Sequence, residues 1–200
     1  NALTRRSDVM VAVETRQNAQ HLSEAMRAAG TQVRILIEVD VGMARCGVLP
    51  GQATLNLASY ATELPGMILE GIMGYEGHAV MIPDKDKRAH TAQTAIAQLV
   101  DTHRLLEANG ISCPIVSAGG TGTYDTTGCY PGVTEIQAGS YATMDQRYAD
   151  IVHGFERALS IVAHVISTRG EEQAIIDAGL KTMTSEFGLP QVLQPKGWQI

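Results

Sequence analysis

The chain has 200 residues, of which 44% are hydrophobic and 18% charged, with a net charge of −6. That balance fits one or two globular domains and excludes the basic stripe of a nucleic-acid binder. No apolar run approaches the ~18–20 residues of a membrane span, and no basic segment followed by an apolar one marks a secretory signal.

The three cysteines, Cys46, Cys113 and Cys129, are widely spaced and form no C-x-x-C pair. The pattern is neither a disulfide framework nor a zinc knuckle, so no metal ligand is assigned and the reducing cytoplasm is the expected compartment. Cys113 is expected in the core and Cys46 as a small packed thiol. The chain opens at Asn1 without an initiator Met, which places the expected amino terminus of the protein upstream.

In chain order, residues 9–13 read as a buried strand. Residues 16–29 read as a helix with Leu22, Ala25, Met26 and Ala29 on one apolar stripe and Gly30 as its stop. A second strand at 33–39 runs into a turn with two glycines and Arg45. A helix at 52–63 carries Leu55, Leu57, Ala58 and Ala61, and a third strand at 67–73 leads to Tyr75-Glu76-Gly77-His78. A charged loop is expected at 84–88. A long helix over about 87–109 turns Ala95, Ile96, Leu99, Val100, Leu105 and Leu106 inward and is capped by Asn109-Gly110. A fourth strand at 113–116 opens into the glycine-rich run 117–125, and a fifth at 133–138 opens into Gly139-Ser140-Tyr141. Strands alternating with helices imply parallel β-α units with right-handed crossovers. After Asp150 the pattern changes to two β-type runs, 159–167 and 172–177, joined by Arg169-Gly170, which read as a hairpin opening an all-β region.

Chemistry in such folds sits at the carboxyl ends of the strands. Arg45, at the end of the second, suits a phenolate, carboxylate or phosphate. The run 117–123 frees backbone amides and hydroxyls near a strand end, which suits a phosphate. It is no Rossmann fingerprint, since Asp125 stands where the last glycine of that motif would fall, and it lacks the lysine of a P-loop. Gly139-Ser140 at the next strand end forms a second such turn. His78, at a strand end, is either a structural histidine or a proton carrier. His21, His90, His103, His153 and His164 read as helix-surface or packing residues.

Four blocks, in order, carry a resemblance: Glu38-Val39-Asp40-Val41-Gly42-Met43-Ala44-Arg45-Cys46-Gly47, Tyr75-Glu76-Gly77-His78, Ser117-Ala118-Gly119-Gly120-Thr121-Gly122 and Gln137-Ala138-Gly139-Ser140-Tyr141. They resemble the E-x-D-x-G-M-x-R-x-G, Y-x-G-H, S-x-G-G-T-G and Q-A-G-S-Y segments of pyridoxal-phosphate (PLP) enzymes with an alanine-racemase-like barrel, in the D-threonine aldolase and D-serine dehydratase branch. Five β-α strands do not close an eight-stranded barrel. The resemblance therefore implies that residues 1–150 are the second half of a PLP-binding TIM (β/α)8 barrel, strands four to eight. Residues 151–200 would then start a β domain, with the first three strands before Asn1.

What the family implies follows residue by residue. Gly119, Gly120, Thr121, Gly139 and Ser140 hold the PLP phosphate, with Tyr141 beside it, and Arg45 contacts the phenolic oxygen. Tyr75 and His78 stand against the ring as catalytic groups. Gln137 stands where alanine racemases place an arginine facing the pyridine nitrogen, and reads either in that role or as a supporting hydrogen bonder. Asp177-Ala178-Gly179 matches a structural turn. The lysine that holds PLP covalently belongs to the first barrel strand, upstream of Asn1, so none of Lys85, Lys87, Lys181 and Lys196 takes that role. A divalent metal (Mn, Mg or Zn) is implied by resemblance alone, with ligands beyond Ile200.

The expected activity is a PLP-dependent lyase on a small D-β-hydroxy amino acid, D-threonine aldolase-like, in a homodimer that binds neither nucleic acid nor membrane. The alternatives are a D-serine dehydratase-like lyase, an amino-acid racemase (from which Glu38 and Gln137 depart), a non-enzymatic PLP carrier, and a TIM barrel for some other phosphate.

Overall fold

The computed structural model describes residues 2–200. Strand β1 (Met10–Val13) is followed by helix α1 (Arg16–Ala29), whose start is fixed by a reciprocal cap. Thr15 Oγ1 accepts from Asn18 N at 3.1 Å, and the Asn18 side chain accepts from the Thr15 amide. Gly30, in the left-handed region at φ 61°, ends the helix. Its inward stripe differs from the expected one. Ala25 is exposed, and Ser23 is buried with its hydroxyl donating to Pro65 O at 2.7 Å. A satisfied hydroxyl sits in the interface as readily as a methyl group.

Strand β2 (Val33–Glu38), helix α2 (Gln52–Glu63), strand β3 (Met67–Gly74) and helix α3 (Lys85–Ala108) follow. The expected charged loop at 84–88 is largely the first turn of α3. Asp84 caps that turn by accepting from Lys87 N at 2.7 Å, which draws the acidic and basic residues into the helix. Gly110, at φ 78°, returns its amide to Glu107 O and closes the far end.

Strand β4 (Ile115–Ala118) begins two residues later than the expected 113–116. Cys113 is held by α3 instead: its amide donates to Glu107 Oε1 at 2.7 Å, and its carbonyl meets His103 Nε2 at 2.9 Å. Pro114 has no N–H to give the ladder. A four-residue helix α4 (Tyr124–Thr127) and strand β5 (Glu135–Ile136) come next. β5 is shorter than the expected 133–138 because β4 offers only Ser117 and Ala118 as partners before its backbone turns into the glycine loop. Helix α5 (Gln146–Ala149) follows a 3-10 turn over Ser140–Ala142.

The five strands are all parallel and lie in chain order, β1-β2-β3-β4-β5. Val33, Ile35, Ile37 and Val39 alternate along β2 and its extension and are all buried: Ile37 and Val39 with Ile72, Ile96, Leu99, Val100 and Val116, and Val33 and Ile35 in a second cluster with Val13, Ala19, Met26 and Ala61. Consecutive helices pack beside one another over this one layer, the arrangement of a barrel arc. Gly71 is required where β3 meets β4: a Cβ there would lie 1.9 Å from Ile115 O.

Strands β6 (Val165–Arg169) and β7 (Gln173–Ile176) form the antiparallel hairpin, its turn at Gly170. The first run is shorter than the expected 159–167. Residues 159–164 find no partner strand among the described residues, and Ala158 and Leu159 donate to Thr143 O instead. His164 pairs with Asp177 across the hairpin at 3.2 Å. Val165, Ile166 and Ile175 are exposed.

Candidate functional site

Each expected site residue lies at the carboxyl end of a parallel strand, within the four loops that follow β2, β3, β4 and β5. In the first, Asp40 Oδ1 accepts from the amides of Gly42 and Ala44, both at 3.0 Å, and coils 40–44 into a tight turn with Ala44 at φ 53°. Gly47 N donates to Glu14 Oε2 at 2.6 Å, tying the returning limb to the end of β1. These bonds turn the tip outward, so Cys46 is exposed rather than packed as expected, and Arg45 stands beside it. The Ala44 and Gly42 amides hold the Asp40 carboxyl below its ordinary value, with His78 adding to the effect.

A carboxyl whose folded pKa is depressed stabilises the fold above its unfolded pKa, and that contribution is lost as pH falls through the folded value. The 40–44 turn should therefore be firm at neutral pH and loosen only below about pH 4, the ordinary carboxylate range. Asp40→Asn should loosen it at every pH. Hydrogen exchange at the Gly42 and Ala44 amides measures both.

Tyr75 is wedged among three loops. The Arg45 guanidinium carbon lies 5.6 Å from its ring centroid. A Cβ on Gly77 would fall 2.5 Å from the ring, and one on Gly120 would fall 3.0 Å away, so both glycines admit it. Burial chiefly, with the neighbouring Tyr148 and the Glu76 carboxylate, pushes the Tyr75 phenol above its ordinary value, while Arg45 pulls the other way. The phenol therefore keeps its proton at neutral pH. His78 is exposed, with its imidazole beside Gly42: a Cβ there would lie 3.3 Å from His78 Cε1. Arg45 and Tyr75 are thus brought together over a cleft lined also by Glu38, Asp40 and Met43, and His78 stands beside the same turn, against Gly42.

The glycine loop after β4 is organised by a residue that sequence reasoning missed. Glu76 is fully buried and accepts from Gly119 N at 3.0 Å, Thr123 Oγ1 at 2.7 Å and Thr127 Oγ1 at 2.5 Å. Thr123 Oγ1 also accepts from Gly120 N at 3.2 Å. The amides of Gly119 and Gly120 are therefore committed within the loop, and what these residues offer a ligand is close approach. Thr121 Oγ1 accepts from Tyr141 N at 3.0 Å and joins this loop to the one after β5. The amides of Thr121, Gly122, Gly139 and Ser140 find no acceptor among the described residues, and the space beside Gly139 is open. Phe155, from the segment after α5, packs on Tyr124 and Tyr141 at 5.4 and 5.5 Å between ring centroids.

Gln137 Nε2 donates to Ser117 Oγ at 3.0 Å, and that hydroxyl donates to Glu135 Oε1 at 2.5 Å. This chain runs along the ends of β4 and β5. All four lysines are exposed and lie outside these loops. Among the described residues no group of three His, Cys, Asp or Glu could hold a metal ion.

Cys113 is buried in the core as expected, and burial pushes its thiol up to about 11, with Glu107 adding. Alkylation of the native protein at pH 8, mapped by mass spectrometry, should label Cys46 and Cys129 and spare Cys113 until denaturant is added.

Comparison with known proteins is consistent from end to end. The family described as alanine racemase, N-terminal domain, matches residues 1–147, and the putative serine dehydratase domain matches residues 158–200. The chain is 36% identical over 199 residues to D-threonine aldolase of an Arthrobacter species, covering 98% of this chain and 52% of that protein. The crystal structure of D-threonine aldolase from Filomicrobium marinum superposes with a TM-score of 0.93 at 32% identity, over 97% of this chain and 54% of that one. D-threo-3-hydroxyaspartate dehydratase from Delftia sp. HT23 superposes with a TM-score of 0.78 at 29% identity, over 88% of this chain and 48% of that one. The chain spans about half the length of the curated relatives it matches.

Proposed function

We propose a function that proceeds from one fact: this chain belongs to the alanine racemase N-terminal domain family. It is part of a PLP-dependent lyase that cleaves a D-β-hydroxy amino acid between Cα and Cβ, D-threonine giving glycine and acetaldehyde. The observation that carries this reading is the 36% identity to a D-threonine aldolase across 98% of the chain, through both the α/β part and the hairpin. Residues 1–150 are the second half of the barrel and residues 151–200 the start of the β domain. The enzyme is a cytoplasmic homodimer. Among the described residues no helix is long and apolar enough to cross a membrane.

The residues present fit PLP. The amides of Thr121, Gly122, Gly139 and Ser140, without acceptors of their own, suit a phosphate ester. At Gly122 a Cβ would meet Val80 O at 1.8 Å, so only glycine lets the loop close. Thr121, Gly139 and Ser140 would hold the phosphate, with Gly119 and Gly120 shaping the loop and Tyr141 beside it. Arg45 would face the phenolic oxygen, and Gln137 would stand toward the pyridine nitrogen. When bound, PLP supplies an electron sink for the bond broken at Cα. Arg45 and Tyr75 orient the reacting end: a guanidinium at the cleft, and a phenol that burial keeps protonated as a donor. His78 takes the proton of the substrate β-hydroxyl as the Cα–Cβ bond breaks. Among the described residues no group of three His, Cys, Asp or Glu could hold the divalent metal that the resemblance implies, and His78 and Tyr75 are the groups of this chain placed to hold or move a proton.

A dehydratase is the second reading, supported by the TM-score of 0.78 to the Delftia enzyme. Full-length protein loaded with PLP should show the visible absorbance of the lysine-bound cofactor, respond to D- but not L-threonine, and release glycine and acetaldehyde. A keto acid with ammonia would move the assignment to a dehydratase. A protein that takes up no PLP overturns the proposal.

A further inference from the structure

We propose that Glu76 is a positioning residue that presets the 119–123 loop for a phosphate ester, so that the protein discriminates PLP from its unphosphorylated analogue pyridoxal. This inference rests on the PLP reading above.

Glu76 is fully buried, yet forms no ion pair with any lysine, arginine or histidine among the described residues. Its three donors are Gly119 N–H on Oε2 and the Thr123 and Thr127 hydroxyls on Oε1. A buried carboxyl is tolerated only where such donors satisfy it. The loop and the carboxyl therefore hold each other in one geometry. Thr123 extends that control by one residue, since the hydroxyl that donates to Glu76 also accepts from Gly120 N. Two successive amides are thereby committed toward the acid.

The two amides that follow, of Thr121 and Gly122, find no acceptor among the described residues. Successive amides held in a fixed turn make an anion-binding concavity. Gly119, at φ 84°, supplies the left-handed step at the start of the loop. Thr121 carries the arrangement into the neighbouring loop by accepting from Tyr141 N. Glu76 touches none of these outward groups. It acts through the loop, and its effect should fall chiefly on the phosphate end of the cofactor; toward the ring, which faces Arg45, Tyr75 and His78, it adds only a lesser charge effect on the Tyr75 phenol.

The test uses the full-length apoprotein titrated with PLP and, separately, with pyridoxal, read by absorbance, with the melting temperature of the apoprotein recorded alongside. Glu76→Gln keeps the shape but sets an NH2 or a lone carbonyl against three donors. It should weaken PLP binding about 10- to 100-fold and leave pyridoxal binding unchanged. Thr123→Val should do the same by releasing the Gly120 amide, and it decides the matter if Glu76→Gln yields no soluble protein. Equal weakening of both ligands, or no weakening of PLP, overturns the inference and leaves Glu76 a residue of the fold alone. A wild-type protein that binds PLP no more tightly than pyridoxal overturns the PLP reading itself, a result separable from either variant's.

Discussion

His78→Ala should lower the turnover of D-threonine cleavage about 100- to 10,000-fold, the range for loss of a positioned acid–base group, while PLP uptake stays intact. The expectation comes from where the ring lies. It is exposed at the end of β3, over Gly42, while the amides without acceptors among the described residues, proposed for the phosphate, belong to the loops after β4 and β5. Removing it should leave the proposed phosphate seat in place and take away a proton carrier. Tyr75 is the competing candidate, but its phenol is held above its ordinary pKa by burial, which makes it a donor and a poor base at neutral pH. Tyr75→Phe should therefore cost less than His78→Ala. Single-turnover cleavage alongside the PLP absorbance of each variant separates the two. A loss under tenfold for His78→Ala would transfer the proton step to another group.

What could be read from the residues alone is what local chemistry decides. Helices α1 and α2 fall on the expected residues, because an apolar stripe with Gly30 closing one and Pro65-Gly66 closing the other leaves no competing register. The loops bearing Arg45, Tyr75, His78, Gly119 and Ser140 fall at strand ends as the sequence predicts, because β-branched runs broken by glycine are a local signal. The misreadings have tertiary causes. β4 starts two residues later than its apolar run predicts because His103 and Glu107, side chains of the preceding helix, hold Cys113 off the ladder. The exposure of Cys46 departs from the packed thiol its neighbours predict, because nothing in them shows that Asp40 coils the turn outward. The burial of Glu76 is not legible, because an acid between a tyrosine and a glycine in a loop looks solvated. Its partners Gly119 and Thr127 come 43 and 51 residues later. A signal was present all the same: two threonines, Thr123 and Thr127, four residues apart after the glycines, offer hydroxyls on one side of a short helix that need an acceptor.

The second large effect should come from Gly122→Ala. The methyl group would stand 1.8 Å from Val80 O and 2.6 Å from its carbonyl carbon, and these are backbone atoms that no rotamer change can remove. Val80 is itself buried, in the segment between His78 and α3. One of the two segments must therefore move, and forced overpacking of this kind costs about 1–3 kcal/mol. If the 119–123 loop yields, the Thr121 and Gly122 amides leave the position set through Gly119 and Thr123, and PLP is retained poorly. If the Val80 segment yields, His78 shifts instead, and turnover falls with PLP still bound. Thermal unfolding should fall in both cases, so the ratio of bound PLP to protein identifies which segment moved. Gly139→Ala is the contrast: a Cβ there meets nothing within 4 Å, so the apoprotein should keep its stability, and any loss should appear only when PLP is added. A Gly122→Ala protein with wild-type melting and full PLP content would show that this close approach does not constrain the site.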